Sequence, residues 1–571
     1  MAPRGRGAEE MIVSLRTPAA GLAALLLLGA CAASGERAAR SPYPGPAISL
    51  ATLTTSTQIL SSDDYEGRAP TTKGEDKAVA YIAQRFRQAG LQPGNKGSWF
   101  QDVPMVEIST TPSALTVAGG ARPLSFAWRT DFVANTYQVT PRAELKDSPI
   151  VFVGYGINAP ERGWNDYEGV DVRGKTVVVL VNDPDWEKSD LEGPFNGRAM
   201  TYYGRWTYKY EEAARQGAAA ALIVHETEPA AYGWNVVQSS WTGPQYNLDD
   251  PGNHMDQSKA IGWLTHDAAH ALFDNDGQDL HALAAAAKKP GFRAVPLRSR
   301  ASITLRNEIK RQSSRNVVGI LPGSKRPGEY VLYTAHWDHL GRCDADPTGD
   351  DICNGALDNA TGTAGLIALA EAQAKRGNAE RSMIFLAVTG EESGLLGSKY
   401  YAENPLYPLA STAGGINMDG LNIFGNTRDF VVIGKGKSEL EDHMKRVTDR
   451  YGLTVRNEPA PQAGYFYRSD HFSLAKQGVP MLYAEGGEDL VNGGVAAGHA
   501  AAEDYRKNRY HQPSDEYDPK WDWSGAIRDL EIYWIMGREL ADSTAWPNWY
   551  AGDEFRAIRD KSRGTAGPIM R

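Results

Sequence analysis

Apolar residues first recur along the chain at helical spacing. In KGEDKAVAYIAQRFRQAGLQPG, Val79, Ile82, Phe86 and Ala89 fall on one face ahead of Gly90, which predicts an amphipathic surface helix. From about residue 130 the pattern turns to short β-rich runs, SPIVFVGYGINAP, GKTVVVLVNDPDW and AALIVHETEP, broken by Gly, Pro, Asn and Asp, with one helix at YKYEEAARQGAAA. From about residue 296 strands and helices alternate. The predicted strands are NVVGIL, YVLYTA, MIFLAV, GGINM, FVVIG and VPMLYA; the helices include GTAGLIALAEAQAKR, SELEDHMKRVTDRYG and AIRDLEIYWIMGREL. Strands apolar throughout, alternating with helices, predict an α/β fold with a mostly parallel central sheet covered by helices on both faces. Residues 46–130 and 296–571 would form this domain, interrupted by a smaller β-rich domain at 131–295.

The start of the chain has another pattern. SLRTPAAGLAALLLLGACAASGE has a basic flank at Arg16, a short apolar core and small residues before Cys31, which together predict an export signal. LLGAC is similar to the lipobox of bacterial lipoproteins, in which the Cys is lipidated and becomes the mature N-terminus. Met11 is an alternative start, because residues 1–10 carry acidic residues that such signals usually lack. Residues 1–31 are thus expected to be a lipoprotein signal peptide and 32–45 a linker. The chain would be exported and anchored by lipid through Cys31 in the bacterial envelope, facing the periplasm. Ala32 weakly favours the outer membrane.

Composition adds little beyond exclusions. With 571 residues, 23% charged and 42% hydrophobic, the chain is an ordinary globular protein of more than one domain. Its net charge of −10 offers no basic field for nucleic acid. Apart from Cys31 the cysteines are Cys343 and Cys353, which in an oxidising compartment can close a short loop. A thiolate metal pair is the weaker alternative, since the surroundings are rich in Asp and the spacing is not CxxC.

The residues just after each predicted strand share one theme. His336 and Asp338 come after YVLYTA, Asp358 precedes a helix, Glu391 and Glu392 come after MIFLAV, Asp419 after GGIN, and His511 stands in RYHQPSDEYD. In parallel sheets ligands bind beyond the carboxyl ends of strands. Imidazole and carboxylate without thiolate suit a catalytic zinc or similar ion, and Asp358 is the natural bridge between two of them. At a strand exit neighbouring side chains diverge, so Glu392 can hold metal while Glu391 faces a water as general base. Alone, each residue has a bland reading as a helix cap, turn residue or solvated charge; the ordered set does not. His225, His254, His266, His270 and His281 are taken as structural, and His339 as lining the site or packing. Asp470 and His471 open a helix, as a cap or near the substrate pocket. No G-x-S-x-G elbow, HExxH helix or P-loop occurs in the sequence.

In order and type these residues resemble the M28 metallopeptidases, whose pattern is H-x-D, Asp-Asn or Asp-Asp, Glu-Glu, Asp and His. The likeness runs from SSDDYEGRAP to YHQPSDE, with the β-rich interruption similar to a protease-associated domain. It implies a zinc exopeptidase fold with two Zn2+ per chain, one held by His336, Asp358 and Asp419 and the other by Asp358, Glu392 and His511. Glu391 would be the base, and Asp338 would orient His336. M20 enzymes share the ligand order but place a lid between the last two ligands, where this pattern stays continuous; the short step from His336 to Asp358 disfavours M42-type enzymes. The implied activity is aminopeptidase action on peptides. A glutamate-carboxypeptidase-like enzyme is the alternative, with Arg468 as a carboxylate contact in place of Glu485, Glu488 or Asp489 as amine contacts. A binding protein on an inactive peptidase fold is the alternative of another class, opposed by competent residues at every ligand position.

Overall fold

The computed structural model describes residues 48–564. The expected signal and linker, with Cys31, lie outside the described residues. Ser49 caps helix α1 (Leu50–Leu60) by accepting from the Thr52 amide, and Thr72 caps α2 (Lys73–Ala89) in the same way through Glu75. Gly90, at φ 89°, ends α2 in the left-handed region. Val79, Ile82 and Phe86 of the predicted face are buried, and Ala89 is half-buried.

One long antiparallel pair links the two halves of the molecule. Strand β1 (Phe100–Pro112) pairs along its whole length with the antiparallel β6 (Val295–Leu321), from Phe100 opposite Val317 to Pro112 opposite Leu305. Between them in sequence lie β2 (Arg142–Phe152), β3 (Thr176–Leu180), β4 (Ala220–Val224) and β5 (Ala260–Leu264). These four run parallel in the order β2-β3-β4-β5, and β2 also pairs with the start of β6. The predicted helix at YKYEEAARQGAAA ends at Arg215, and Ala220 already belongs to β4. The far end of β6 enters a second sheet, so one strand joins the two.

That second sheet contains β7 (Arg326–His336), β8 (Arg381–Val388), β9 (Thr412–Asn417), β10 (Asp429–Val432), β11 (Thr454–Asn457) and β12 (Met481–Gly486). Its order is β6-β8-β7-β9-β12-β10-β11, with β8, β7, β9 and β12 parallel, β6 antiparallel to β8, and β10 antiparallel to β12 but parallel to β11. All six predicted strands of the region are present. Val331, Tyr333, Ala335, Phe385 and Ala387 face the core made with α1, α2, α3 (Gly362–Arg376) and α4 (Ser524–Asp542). Leu332, Ile384, Leu386 and Val388 point to the other face, against Tyr401, Ala402 and Leu474. Both faces are covered, so the carboxyl ends of the parallel strands are left to bind ligands. Cys343 and Cys353 form a disulfide next to this edge. No helix among the described residues is long and apolar enough to cross a membrane.

Candidate metal centre

Strand ends deliver the ligand candidates. His336 is the last residue of β7, Glu391 and Glu392 come after β8, and Asp419 after β9. Asp358 lies in the turn into α3. That turn is tied to its neighbours by the side chains of Asn359, Thr361 and Thr363. Asn359 accepts from the amides of Gly362 and Gly420 and donates to the Met418 carbonyl. Thr361 accepts from the Leu421 amide, and Thr363 donates to the His336 carbonyl. Three ligand segments are thereby held to one helix terminus.

The distances separate two clusters that share one residue. His336 Nε2 lies 2.9 Å from Asp419 Oδ1 and 3.4 Å from Asp358 Oδ1. On the other side His511 Nε2 lies 3.3 Å from Asp358 Oδ2 and 3.1 Å from Glu392 Oε2. The two oxygens of Asp358 therefore face different histidines. His339 also enters the second cluster, with Nδ1 2.6 Å from Glu392 Oε1. His336, Asp358 and Asp419 form one group able to hold a cation, and His339, Asp358 and Glu392 another.

The donor set fits zinc. Imidazole and carboxylate atoms converge with no thiolate among them. His511 Nε2 makes no hydrogen bond even though two carboxylate oxygens lie within 3.3 Å, an arrangement suited to a cation between them.

Asp338 supports the site through a contact the sequence did not suggest. His336 Nδ1 bonds the main-chain carbonyl of Asp338 at 3.2 Å, and the carboxylate Oδ1 is 3.9 Å away. That carboxylate instead accepts from the Glu391 amide at 3.2 Å, fixing the strand exit that carries both glutamates. Asp515, also unpredicted, accepts from the amides of Leu357 and Asp358. Tyr510 stacks on His511 at 3.8 Å between centroids.

Burial and neighbouring charge set the protonation of the site. Burial disfavours a charged His336, but Asp419, Glu391 and Asp358 outweigh it and hold its pKa well above the ordinary value. Burial raises Glu391 well above the carboxylate range; His336 opposes this, and Asp419 and Glu392 reinforce it. Among the described residues Glu391 has no ion-pair partner. Asp470 does not cap its helix through its side chain, and His471 packs between Phe466 and Tyr483, 4.5 and 5.2 Å away, with burial pushing its pKa down to about 3.

An α/β protein with two overlapping ligand clusters at the carboxyl ends of parallel strands, joined by one carboxylate, has the layout of a two-metal centre. Residues 316–535, which contain all five predicted ligands and Glu391, match the model of peptidase family M28. The chain is 32% identical over 146 residues to "Aminopeptidase NAALADL1" of Mus musculus, covering 24% of this chain and 18% of that protein. It is 30% identical over 198 residues to "Glutamate carboxypeptidase 2 homolog" of Caenorhabditis elegans, covering 33% and 23%. The chain thus spans about a fifth of the length of the relatives it matches. Among solved structures, an aminopeptidase from Aneurinibacillus sp. strain AM-1 is similar at 20% identity and a TM-score of 0.45, covering 86% of this chain and 93% of that one.

Proposed function

We propose that the chain is a dizinc metallo-exopeptidase, an aminopeptidase that removes N-terminal residues from peptides. The observation that carries this reading is Asp358, whose oxygens face His336 on one side and His511 on the other. His336, Asp358 and Asp419 would hold one zinc, and Asp358, Glu392 and His511 the other, with His339 beside the second. Zinc bound there supplies Lewis acidity and lowers the pKa of water in the site.

Glu391 takes the proton from the attacking water at a carboxylate oxygen and returns it to the departing amine nitrogen. The hydrogen bond that the Glu391 amide donates to the Asp338 carboxylate keeps the strand exit in place while Glu392 serves as a ligand.

Recognition of a free amine falls to Glu485. Among the acidic candidates Asp489 pairs with Arg428 at 3.1 Å and Glu488 with His499 at 3.2 Å, whereas Glu485 has no cationic partner among the described residues. Burial, then Asp529 and Asp419, push its pKa up to about 8, and an ammonium beside it would restore the charged form. The carboxypeptidase alternative has its own support: Arg468 and Arg205 have Nε atoms that are buried and without a hydrogen-bond partner, and each could receive a substrate carboxylate. Dipeptides blocked at the amine or at the carboxylate separate the two, because the aminopeptidase requires a free amine.

The β-rich stretch 131–295 is proposed as a protease-associated insert, and residues 1–31 as the signal of a lipoprotein facing the periplasm. The small-residue run ending at Cys31 supports the second reading. Labelling cells with an alkynyl fatty acid tests it, because Cys31→Ser should lose the label.

A further inference from the structure

The insert carries a second concentration of imidazoles, remote in sequence from the M28 segment. His266 and His270 lie four residues apart on the helix His266–Asp276, on one face of it. His281 enters from the next helix, Leu280–Ala287. One ring nitrogen from each lies within 4.8 Å of the other two, and the ring centroids are 4.3, 4.5 and 6.1 Å apart.

We infer that His266, His270 and His281 form a separate site for one zinc-class divalent cation, with the Glu226 carboxylate as its fourth donor. Glu226 Oε1 is 3.5 Å from His266 Nδ1. Three imidazoles and one carboxylate make a four-donor set that zinc accepts, with no thiolate to favour a softer ion.

Apolar packing does not account for the cluster. His266 and His281 are exposed, so little hydrophobic gain gathers the rings. His270 Nε2 is sealed from solvent and has no hydrogen-bond partner, which is costly for a polar atom unless something at this position satisfies it.

Topology places the cluster where a ligand is expected. Glu226 comes just after strand β4 and His266 just after strand β5, and Val224 and Leu264 at their ends are partners in a parallel pair. The site therefore lies at the carboxyl edge of the insert's own sheet. A cation there would tie the helical hairpin of residues 266–287 to the loop after β4 without touching the peptidase centre. His281 joins the pair only through the folding of the hairpin, a proximity that sequence spacing does not show.

The test compares zinc-loaded full-length protein with the combined variant His266→Ala, His270→Ala and His281→Ala, both dialysed against micromolar free zinc and measured by plasma mass spectrometry. The wild type should retain one more zinc per chain than the variant, while peptide hydrolysis is the same in both. Equal zinc in the two proteins overturns the proposal. Asp358→Ala gives an independent arm: its zinc should fall further when the three histidines are replaced, even if the peptidase reading fails. Bound Cu2+ gives a second readout, since electron paramagnetic resonance of Asp358→Ala should show imidazole nitrogen coupling that the histidine replacements diminish; a spectrum unchanged by those replacements counts against the site.

Discussion

Replacing Arg68 should loosen the metal centre, although Arg68 supplies none of its ligands. The side chain is fully buried, and its fork donates to four main-chain carbonyls. Nε reaches Trp337 at 2.9 Å, Nη1 reaches Leu60 and Asn354 at 2.6 Å each, and Nη2 reaches Gly355 at 2.9 Å. Trp337 adjoins the ligand His336, and Asn354 and Gly355 lead into Asp358, so one guanidinium holds two ligand segments to the end of α1. Each charge-assisted bond contributes about 1.5–3 kcal/mol, and an orphaned buried carbonyl costs about 1–3 kcal/mol. Part of this gain is offset by burying the cation, which lowers its pKa to about 10 despite Asp338, Asp515, Asp358 and Glu392 nearby. Truncating one member of such a buried charged set typically costs about 3–5 kcal/mol. Arg68→Met should therefore lose about 4 kcal/mol. Arg68→Lys keeps the charge but cannot reproduce the fork, and should lose about 2 kcal/mol. Both residues inherit the φ of 52° at this position, so backbone strain cancels from the comparison. Urea unfolding gives the stabilities, and zinc affinity with kcat reads the site. Both variants should bind zinc more weakly and turn over more slowly. A methionine variant within about 1 kcal/mol of wild type, with unchanged zinc affinity, would refute the reasoning.

Other substitutions separate the roles of the site. Glu391→Gln should keep its zinc and fold while kcat falls by about 10²–10⁴; substantial remaining turnover would remove Glu391 as base. Glu458 sits with one oxygen on the Gly434 amide and the other without a hydrogen-bond partner, and burial raises its pKa from 4.5 to about 7. A raised carboxylate pKa favours the fold at low pH, and that stability is lost as pH rises from about 4.5 to about 7. Glu458→Gln should therefore gain stability relative to wild type across that window, by at most about 3 kcal/mol. A pH-independent difference in melting would contradict this. Replacing Cys343 and Cys353 by serine opens a loop with a sequence separation of 10 and should cost about 2–3 kcal/mol in chain entropy, detectable in the urea midpoint.

Much of the central sheet was legible because its strands are apolar on both faces and punctuated by glycine. GTAGLIALAEAQAKR coincides with the helix Gly362–Arg376, which stops where Gly377 takes a positive φ. Strand β1 was not legible: FQDVPMVEISTTP contains two prolines and two acidic residues, and long pairing with β6 rather than local propensity makes it a strand. The helix Gly494–Asn508 was also missed; only Gly498 is buried, so it shows no apolar face for periodicity to reveal.

The centre divides in the same way. His336, Asp358, Glu392, Asp419 and His511 could be read from sequence because each side chain carries its own metal chemistry. Arg68 and Asp515 act on main-chain groups distant in sequence, and nothing local marks them. The Asp338 carboxylate was expected at His336, yet the neighbouring amide of Glu391 takes it.

The most direct test of the peptidase reading is zinc content and dipeptide turnover measured on wild type beside Asp358→Ala. Wild type should hold two more zincs per chain than the variant and hydrolyse dipeptides with a free amine but not those with a blocked amine, while the variant hydrolyses neither. Equal zinc in both proteins, or turnover surviving in Asp358→Ala, would contradict a two-metal peptidase centre built on that carboxylate.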